Sequence, residues 1–240
     1  MIKFDKVSKI YNKLKVLNEV DLVINTGESI AVLGPNGSGK STLIKSIVGL
    51  VKPESGNIHI DNIDIFKDVN YRNNIGYMPQ IGRYPDNLTA KEIIHLILKL
   101  RNNPDIKYPE ELIEQFELNS HINKKMNSLS GGTRQKVSVV LTFMFQPKIL
   151  ILDEPTSGLD PYMAMKFIEL VKERNKSGST IILVSHTLAE IEEIGNRIVY
   201  LNEGFKVIDD EVDNLMKNTN TTDVNTAILS KMKDFQNEIR

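Results

Sequence analysis

Two short runs hold the residues best suited to chemistry. The first is Gly34-Pro35-Asn36-Gly37-Ser38-Gly39-Lys40-Ser41, followed by Thr42, with the spacing G-x-x-x-x-G-K-[ST] of a phosphate-binding loop. Its glycines let backbone amides converge on phosphate oxygens without Cβ atoms in the way. Lys40 suits the β and γ phosphates and the Ser41 hydroxyl suits Mg²⁺. A helix beginning at Lys40 adds about half a positive charge at its N-terminus. The second run, Ile149-Leu150-Ile151-Leu152-Asp153-Glu154, is an apolar strand ending in two carboxylates. Asp153 at the strand tip suits the magnesium shell. Glu154 suits a general base that polarises water, a role worth about 10²–10⁴ in rate. Alone, such a strand end reads as a solvated terminus; downstream of a phosphate loop it reads as part of the same site.

The elements that must position these runs follow from patterning. IKFDKVS, KVLNEVDLVI and ESIAVLG read as strands, and Ile30–Leu33 is a buried-type strand feeding the glycine-rich loop. A helix from Lys40 to about Leu50 is expected to close at Gly49 or Pro53, then strands at GNIHID and NIGYMPQ. Beyond Gln80 the character changes. Thr89 and Glu92 form a capping box for a helix through Leu100, NNPDIKYP is a loop, and EELIEQFEL is a short helix. SGGTRQKVSVVLTFMF is a helix stopped near Pro147, with the Met/Phe run as core. Asp160 and Pro161 begin another helix that ends near Gly178, and STIILVS is a buried strand. Thr187 with Glu190 is expected to cap a helix ending near Gly195. Buried strands alternating with helices imply an α/β fold with a mainly parallel sheet. The tail KNTNTTDVNT is polar and expected to be loose; Val224, Ile228, Met232, Phe235 and Ile239 then recur at helical spacing, as in a helix packing on its own domain.

The 240 residues are 40% hydrophobic and 25% charged, enough for one large domain with a core. Without cysteine there are no disulfides and no thiolate metal sites. A net charge of −1 gives no field to draw the chain onto nucleic acid or acidic lipid, so nucleic acid is excluded as a partner. The apolar stretches, such as Ile93–Leu98, fall well short of the roughly 20 residues that span a bilayer. His59, His95 and His121 are far apart, with no ligand-like spacing.

A third run, Leu129-Ser130-Gly131-Gly132-Thr133-Arg134-Gln135, resembles the LSGGQ signature of the ATP-binding cassette family, departing only in Thr133 for the usual Gln. Ser130 and the amides of Gly131 and Gly132 open a helix, making a second anion-binding end. The resemblance implies that this end binds the γ-phosphate held by an opposite subunit. Further matches occur in order: Gln80 in YMPQ with the glutamine that senses Mg²⁺, Ser157-Gly158-Leu159-Asp160 with the loop crossing the dimer seam, and His186 after IILVS with the switch histidine on the γ-phosphate. Tyr11 sits where an aromatic stacks on adenine. The resemblance covers about residues 2–210.

What it implies is an ATPase using ATP and Mg²⁺. Its core is that of a phosphate-loop NTPase with an N-terminal antiparallel β part and an inserted α-helical subdomain. Residues 1–210 are expected to form the ATPase domain, with the helical subdomain at about 81–135, and 211–240 a tail with an amphipathic helix. Implied partners are a second copy or homologous ATPase subunit and an integral membrane permease, placing the chain in the cytoplasm on the inner face of the membrane. Segment 81–88, with Arg83 and Tyr84, is the expected lever to the permease. The stretch IGYMPQIGRYPDNLTAKEII looks like the ATPase subunit of the transporter that matures the copper sites of nitrous oxide reductase; the multidrug and antibiotic efflux group stands beside it. Repair ATPases of this superfamily carry long coiled coils between the phosphate loop and the signature, translation-factor types carry two cassettes, and kinases lack the signature and switch histidine; none fits this chain.

Overall fold

The computed structural model describes residues 1–101 and 107–239. The chain opens with β1 (Ile2–Tyr11), β2 (Leu14–Ile24), β3 (Ser29–Leu33), α1 (Lys40–Ile47), β4 (Ser55–Ile60), β5 (Ile63–Asp64) and β6 (Ile75–Met78). A helical block follows, α2 (Ala90–Arg101) and α3 (Glu110–Gln115), then α4 (Gly131–Phe143). The alternating pattern returns with β7 (Ile149–Asp153), α5 (Pro161–Lys176), β8 (Thr180–Val184), α6 (Leu188–Ile194), β9 (Arg197–Asn202) and β10 (Phe205–Glu211), and ends in α7 (Val212–Thr219) and α8 (Val224–Ile239).

The strands form two sheets. One is antiparallel, in the order β2-β1-β4-β5; the other is β10-β9-β3-β8-β7-β6, parallel except for the β9–β10 hairpin. All five residues of β3, of β7 and of β8 are buried, as expected for strands covered on both faces. The faces of β3 divide between two cores. Ile30 and Val32 pack with α1 and the antiparallel sheet, while Ala31 and Leu33 pack with Ile191, Ile198, Ile208, Leu215, Val224 and Ile228. A third core joins α4 and α5 through Phe143 and Phe167, whose rings meet edge-on at 5.8 Å. A fourth, Ile93, Ile94, Ile113, Met126, Val137 and Val140, holds the helical block to α4.

Local signals explain most boundaries. Gly49 takes φ 72 and stops α1 two residues beyond Ile47, short of the expected Leu50. The Thr89–Glu92 box forms reciprocally: the Thr89 amide donates to Glu92 Oε2 at 2.8 Å and the Glu92 amide to Thr89 Oγ1 at 3.1 Å. Asp160 accepts from the Met163 amide at 3.0 Å with Pro161 at the first helical position of α5.

Three expectations need correcting or bounding. The Thr187–Glu190 box does not form: Thr187 makes no side-chain cap, and Glu190 turns inward to the Thr156 hydroxyl. The polar segment expected to be loose is largely ordered, because Leu215 of α7 and Val224, Ala227 and Ile228 of α8 bury against β3, β9 and β10, with Asn220 as a left-handed cap between the helices. Residues 102–106 of the expected loop at 102–109 lie outside the described residues, as does the Ile239 side chain.

Candidate active site

The carboxyl ends of β3, β7 and β8 supply the site, the edge where ligands meet parallel sheets. From β3 the chain enters the glycine-rich loop, where Gly34, Gly37 and Gly39 take φ of 141, 80 and 109. At Gly39 the close approach is decisive, since a Cβ there would lie 2.5 Å from the Val16 carbonyl oxygen. Gly39 is also the N-cap of α1 and offers no side chain to its amides, which leaves that positive end available to an anion. Lys40 folds beneath the loop, its Nζ donating to the Gly34 carbonyl at 2.7 Å and the Pro35 carbonyl at 3.0 Å. Burial holds its pKa below the ordinary lysine value, opposed by the nearby Glu154 and Asp153 carboxylates.

At the end of β7, Asp153 is buried, and burial pushes its carboxyl above the usual range against the pull of Lys45 and Lys40. Glu154 follows in a left-handed conformation, φ 48, its amide donating to the Val184 carbonyl at 2.8 Å. Burial pushes its carboxyl up too, with His186 opposing and the like charges of Glu190 and Asp153 adding to the rise. His186, exposed just past β8, brings Nε2 to 3.4 Å from Glu154 Oε1; that oxygen is buried and has no hydrogen-bond partner among the described residues. A carboxyl raised by burial, with one oxygen lacking a hydrogen-bond partner among the described residues, is suited to accepting a proton from water.

One cavity of about 190 Å³ brings these pieces together: Asn36, Gly37, Gly39, Lys40, Ser41, Thr42, Gln80, Asp153, Glu154 and His186 all line it. Gly34, Pro35 and Ser38 complete the loop beneath. Ser41, Gln80 and Asp153 supply the hard oxygen donors that Mg²⁺ prefers. Val16 and Val184 also line the cavity, and no local pattern marks either one.

Outside the phosphate loop, five predicted positions do not line the cavity: Tyr11, Ser130, Gly131, Gly132 and Asp160. Tyr11 is 43% exposed at the end of β1, with Lys9 Nζ 5.1 Å from its ring centre. Ser130 and Gly131 are exposed at the start of α4, where Ser130 Oγ accepts from the Thr133 amide at 3.2 Å and shares a hydrogen bond with Thr133 Oγ1 at 2.8 Å. Thr133, in place of the usual Gln, therefore engages the signature serine itself. A Cβ on Gly131 would meet nothing within 4 Å, whereas one on Gly132 would lie 2.5 Å from the Gly158 carbonyl oxygen. One side of this helix start is thus open and the other is locked to the turn that follows Glu154. Asp160 is engaged as the α5 cap. Sequence reasoning missed Gln135, whose Nε2 donates to the buried Pro155 carbonyl at 2.8 Å and ties α4 to the same turn.

The profile of the ABC transporter family matches residues 17–157. The ABC transporter ATP-binding protein YtrB of Bacillus subtilis (strain 168) is 33% identical over 235 residues, covering 95% of this chain and 80% of its own length. A structure described as the ATP-binding subunit of an ABC transporter superposes with a TM-score of 0.90 at 28% identity, covering 97% of this chain and 99% of that one. The dimeric ATP-binding cassette MJ0796 in a post-hydrolysis state, bound to ADP and Pi, superposes with a TM-score of 0.79 at 30% identity, covering 88% and 98%. A glycine-rich loop, two carboxylates and a histidine around one cavity, with the helix start at Ser130 locked to the same turn, agree with these likenesses: the chain belongs to the ABC transporter family, as an ATP-hydrolysing subunit.

Proposed function

We propose that the chain binds Mg-ATP on its own phosphate loop and hydrolyses it only when a second subunit closes the site. The observation that carries this reading is the split of the motif residues. The groups that would cradle and hydrolyse the triphosphate line one cavity, while Ser130 and Gly131 stand exposed outside it. In the head-to-tail arrangement, Ser130 and the amides of Gly131 and Gly132 contact the γ-phosphate held by the partner, and Asp160 lies at the seam. Tyr11 stacks on adenine. Ser41, Gln80 and Asp153 hold Mg²⁺, which when bound neutralises charge on the β and γ phosphates. Lys40 orients those phosphates, Glu154 takes the proton of the attacking water, and His186 faces the γ-phosphate.

The coupled work is transport through a separate membrane permease. None of the described helices is long and apolar enough to cross a membrane. A groove of about 430 Å³ beside Gln80, lined by Leu50, Tyr77, Arg83, Tyr84, Ile97 and Phe145, is where we place the permease, which puts the chain on the inner face of the membrane. The Tyr84 hydroxyl donates to Ser138 Oγ at 2.9 Å, so motion at this groove reaches the signature helix. The first half of residues 75–94, the stretch that resembles the copper-site maturation ATPase, lines this groove from Ile75 to Tyr84. That resemblance supports a maturation transporter as the finer reading, with antibiotic efflux as the alternative.

The test is Ser130→Arg. A cation and a long side chain at the open start of α4 should leave nucleotide binding by a single subunit intact while abolishing ATP-driven dimerisation and lowering turnover by at least about 10². Wild-type specific activity should fall on dilution. Turnover strictly proportional to enzyme, with Ser130→Arg harmless, would overturn the shared site.

A further inference from the structure

Glu190 is a buried carboxylate that lies outside the phosphate loop and the cavity lining and is assigned no step above. It stands in the first turn of α6 and is 2% exposed. A carboxylate so buried must be held by a donor to persist. The donor is the Thr156 hydroxyl, bonded to Oε1, while Oε2 is buried with no hydrogen-bond partner among the described residues. Thr156 lies in the turn just past Glu154, and His186 stands just ahead of α6. One contact therefore joins the segment that presents Glu154 to the segment that presents His186.

That turn needs holding. Glu154 takes φ 48, a conformation that persists in a residue other than glycine only when its surroundings over-determine it. From the sheet side the Val184 carbonyl receives the Glu154 amide. From α4, Gln135 donates to the Pro155 carbonyl and Gly132 packs against Gly158. Glu190 supplies the remaining tie, from α6. Because the α4 ties do not depend on it, its loss leaves the turn attached but free to shift relative to His186. An acceptor-only carboxylate suits the task, since it brings no N–H of its own to satisfy.

We propose that Glu190 is a positioning residue for hydrolysis, latching Thr156 to α6 so that Glu154 and His186 keep their 3.4 Å approach. The inference rests on the reading of Glu154 and His186 as the hydrolytic pair.

The experiment measures ATPase kcat and KM, nucleotide affinity and thermal melting for the full chain carrying Thr156→Val, Thr156→Ser, Glu190→Ala or the Thr156→Val/Glu190→Ala pair, with Glu154→Gln alongside. Val keeps the shape of Thr without the hydroxyl, and Ser keeps the hydroxyl. Thr156→Val and Glu190→Ala should each lower kcat by about 10–10² with ATP affinity within about twofold of wild type. Thr156→Ser should retain kcat within about threefold, and the double variant should be no slower than the slower single one, because both remove one contact. Should Glu190→Ala fail to fold, the two Thr156 variants decide the matter alone. Wild-type kcat in Thr156→Val beside an inactive Glu154→Gln overturns the latch and spares the hydrolytic pair. Wild-type kcat in Glu154→Gln overturns the pair itself. Parallel loss of kcat, nucleotide affinity and melting temperature in Thr156→Val also overturns the proposal, by making the contact a structural one.

Discussion

The loop from β3 to α1 and the loop from β7 to α5 leave the same edge of the same sheet, with β8 between their strands, and treat their backbones in opposite ways. The first relies on glycine: Gly39 caps α1 with no side chain, and no residue from Gly34 to Gly39 is charged. The second is tied down along its length, with Pro155 held by Gln135, Thr156 by Glu190, Gly158 packed on Gly132, and Asp160 capping α5. Both run through left-handed conformations, but the first spends that freedom on leaving donors open and the second on aiming one carboxylate. A ligand supplies the hydrogen bonds the first loop lacks; the second must already be rigid when the ligand arrives.

The comparison breaks most visibly at Glu154. Glu154→Gln keeps the shape and the ties of its loop and removes only the carboxylate proposed as the base, so turnover should fall by about 10²–10⁴ while ATP binding persists and ATP-bound dimer accumulates. Steady-state hydrolysis, nucleotide titration and size-exclusion chromatography read the three parts. Unchanged turnover would mean that the second loop aims nothing.

The glycines separate the loops next. Gly39→Ala places a Cβ 2.5 Å from the Val16 carbonyl oxygen at φ 109, so it should cost about 1–3 kcal/mol of stability and weaken ATP binding by more than about tenfold. Gly158→Ala shares the left-handed strain at φ 82, but its nearest neighbour is the Gly132 amide nitrogen at 4.0 Å, and its cost should be about 1 kcal/mol with ATP affinity unchanged. Thermal melting and nucleotide titration of the pair decide it. Normal ATP affinity in Gly39→Ala would show that the first loop is no tighter than the second. Smaller still is Asp160→Ala, which removes a helix cap worth about 1 kcal/mol and should leave ATP binding by the isolated subunit untouched.

How far these loops can be read from sequence follows from the range of each signal. The phosphate loop, the strand ending in Asp153 and Glu154, the Thr89–Glu92 box and the Asp160–Pro161 helix start are all patterns of residues within a few positions of one another. The ties of the second loop are not local. Glu190 meets Thr156 across 34 residues, and its spacing from Thr187 suggested a capping box instead. Val16 reaches the cavity from the distant β2. The β9–β10 hairpin escaped notice because its charges resemble a solvated tail, yet Arg197 pairs with Glu28 at 2.8 Å and with Asp209 at 2.5 Å. The polar run before Val224 concealed α7 for the same reason: the partners that bury Leu215 lie on β3, β9 and β10, outside any local window.

The smallest expected effect is one of pH, and it belongs to the second loop alone, because the run from Gly34 to Gly39 has no group to titrate. Burial raises the Asp153 and Glu154 carboxyls above their ordinary values, so the folded state favours their protonated forms more than the unfolded chain does. A group raised in this way contributes stability fully below its unfolded pKa and loses that contribution as pH rises through the folded value. Glu154→Gln removes the Glu154 share. With nucleotide and Mg²⁺ withheld, the variant should melt above wild type at about pH 8, where the wild-type carboxylate is charged and buried, and the gap should narrow toward about pH 4, where the carboxyl holds its proton in the fold. Equal gaps at both ends would mean that the carboxylate's charge is relieved by solvent rather than confined, and a loop that confines no charge has not been tied down to present it.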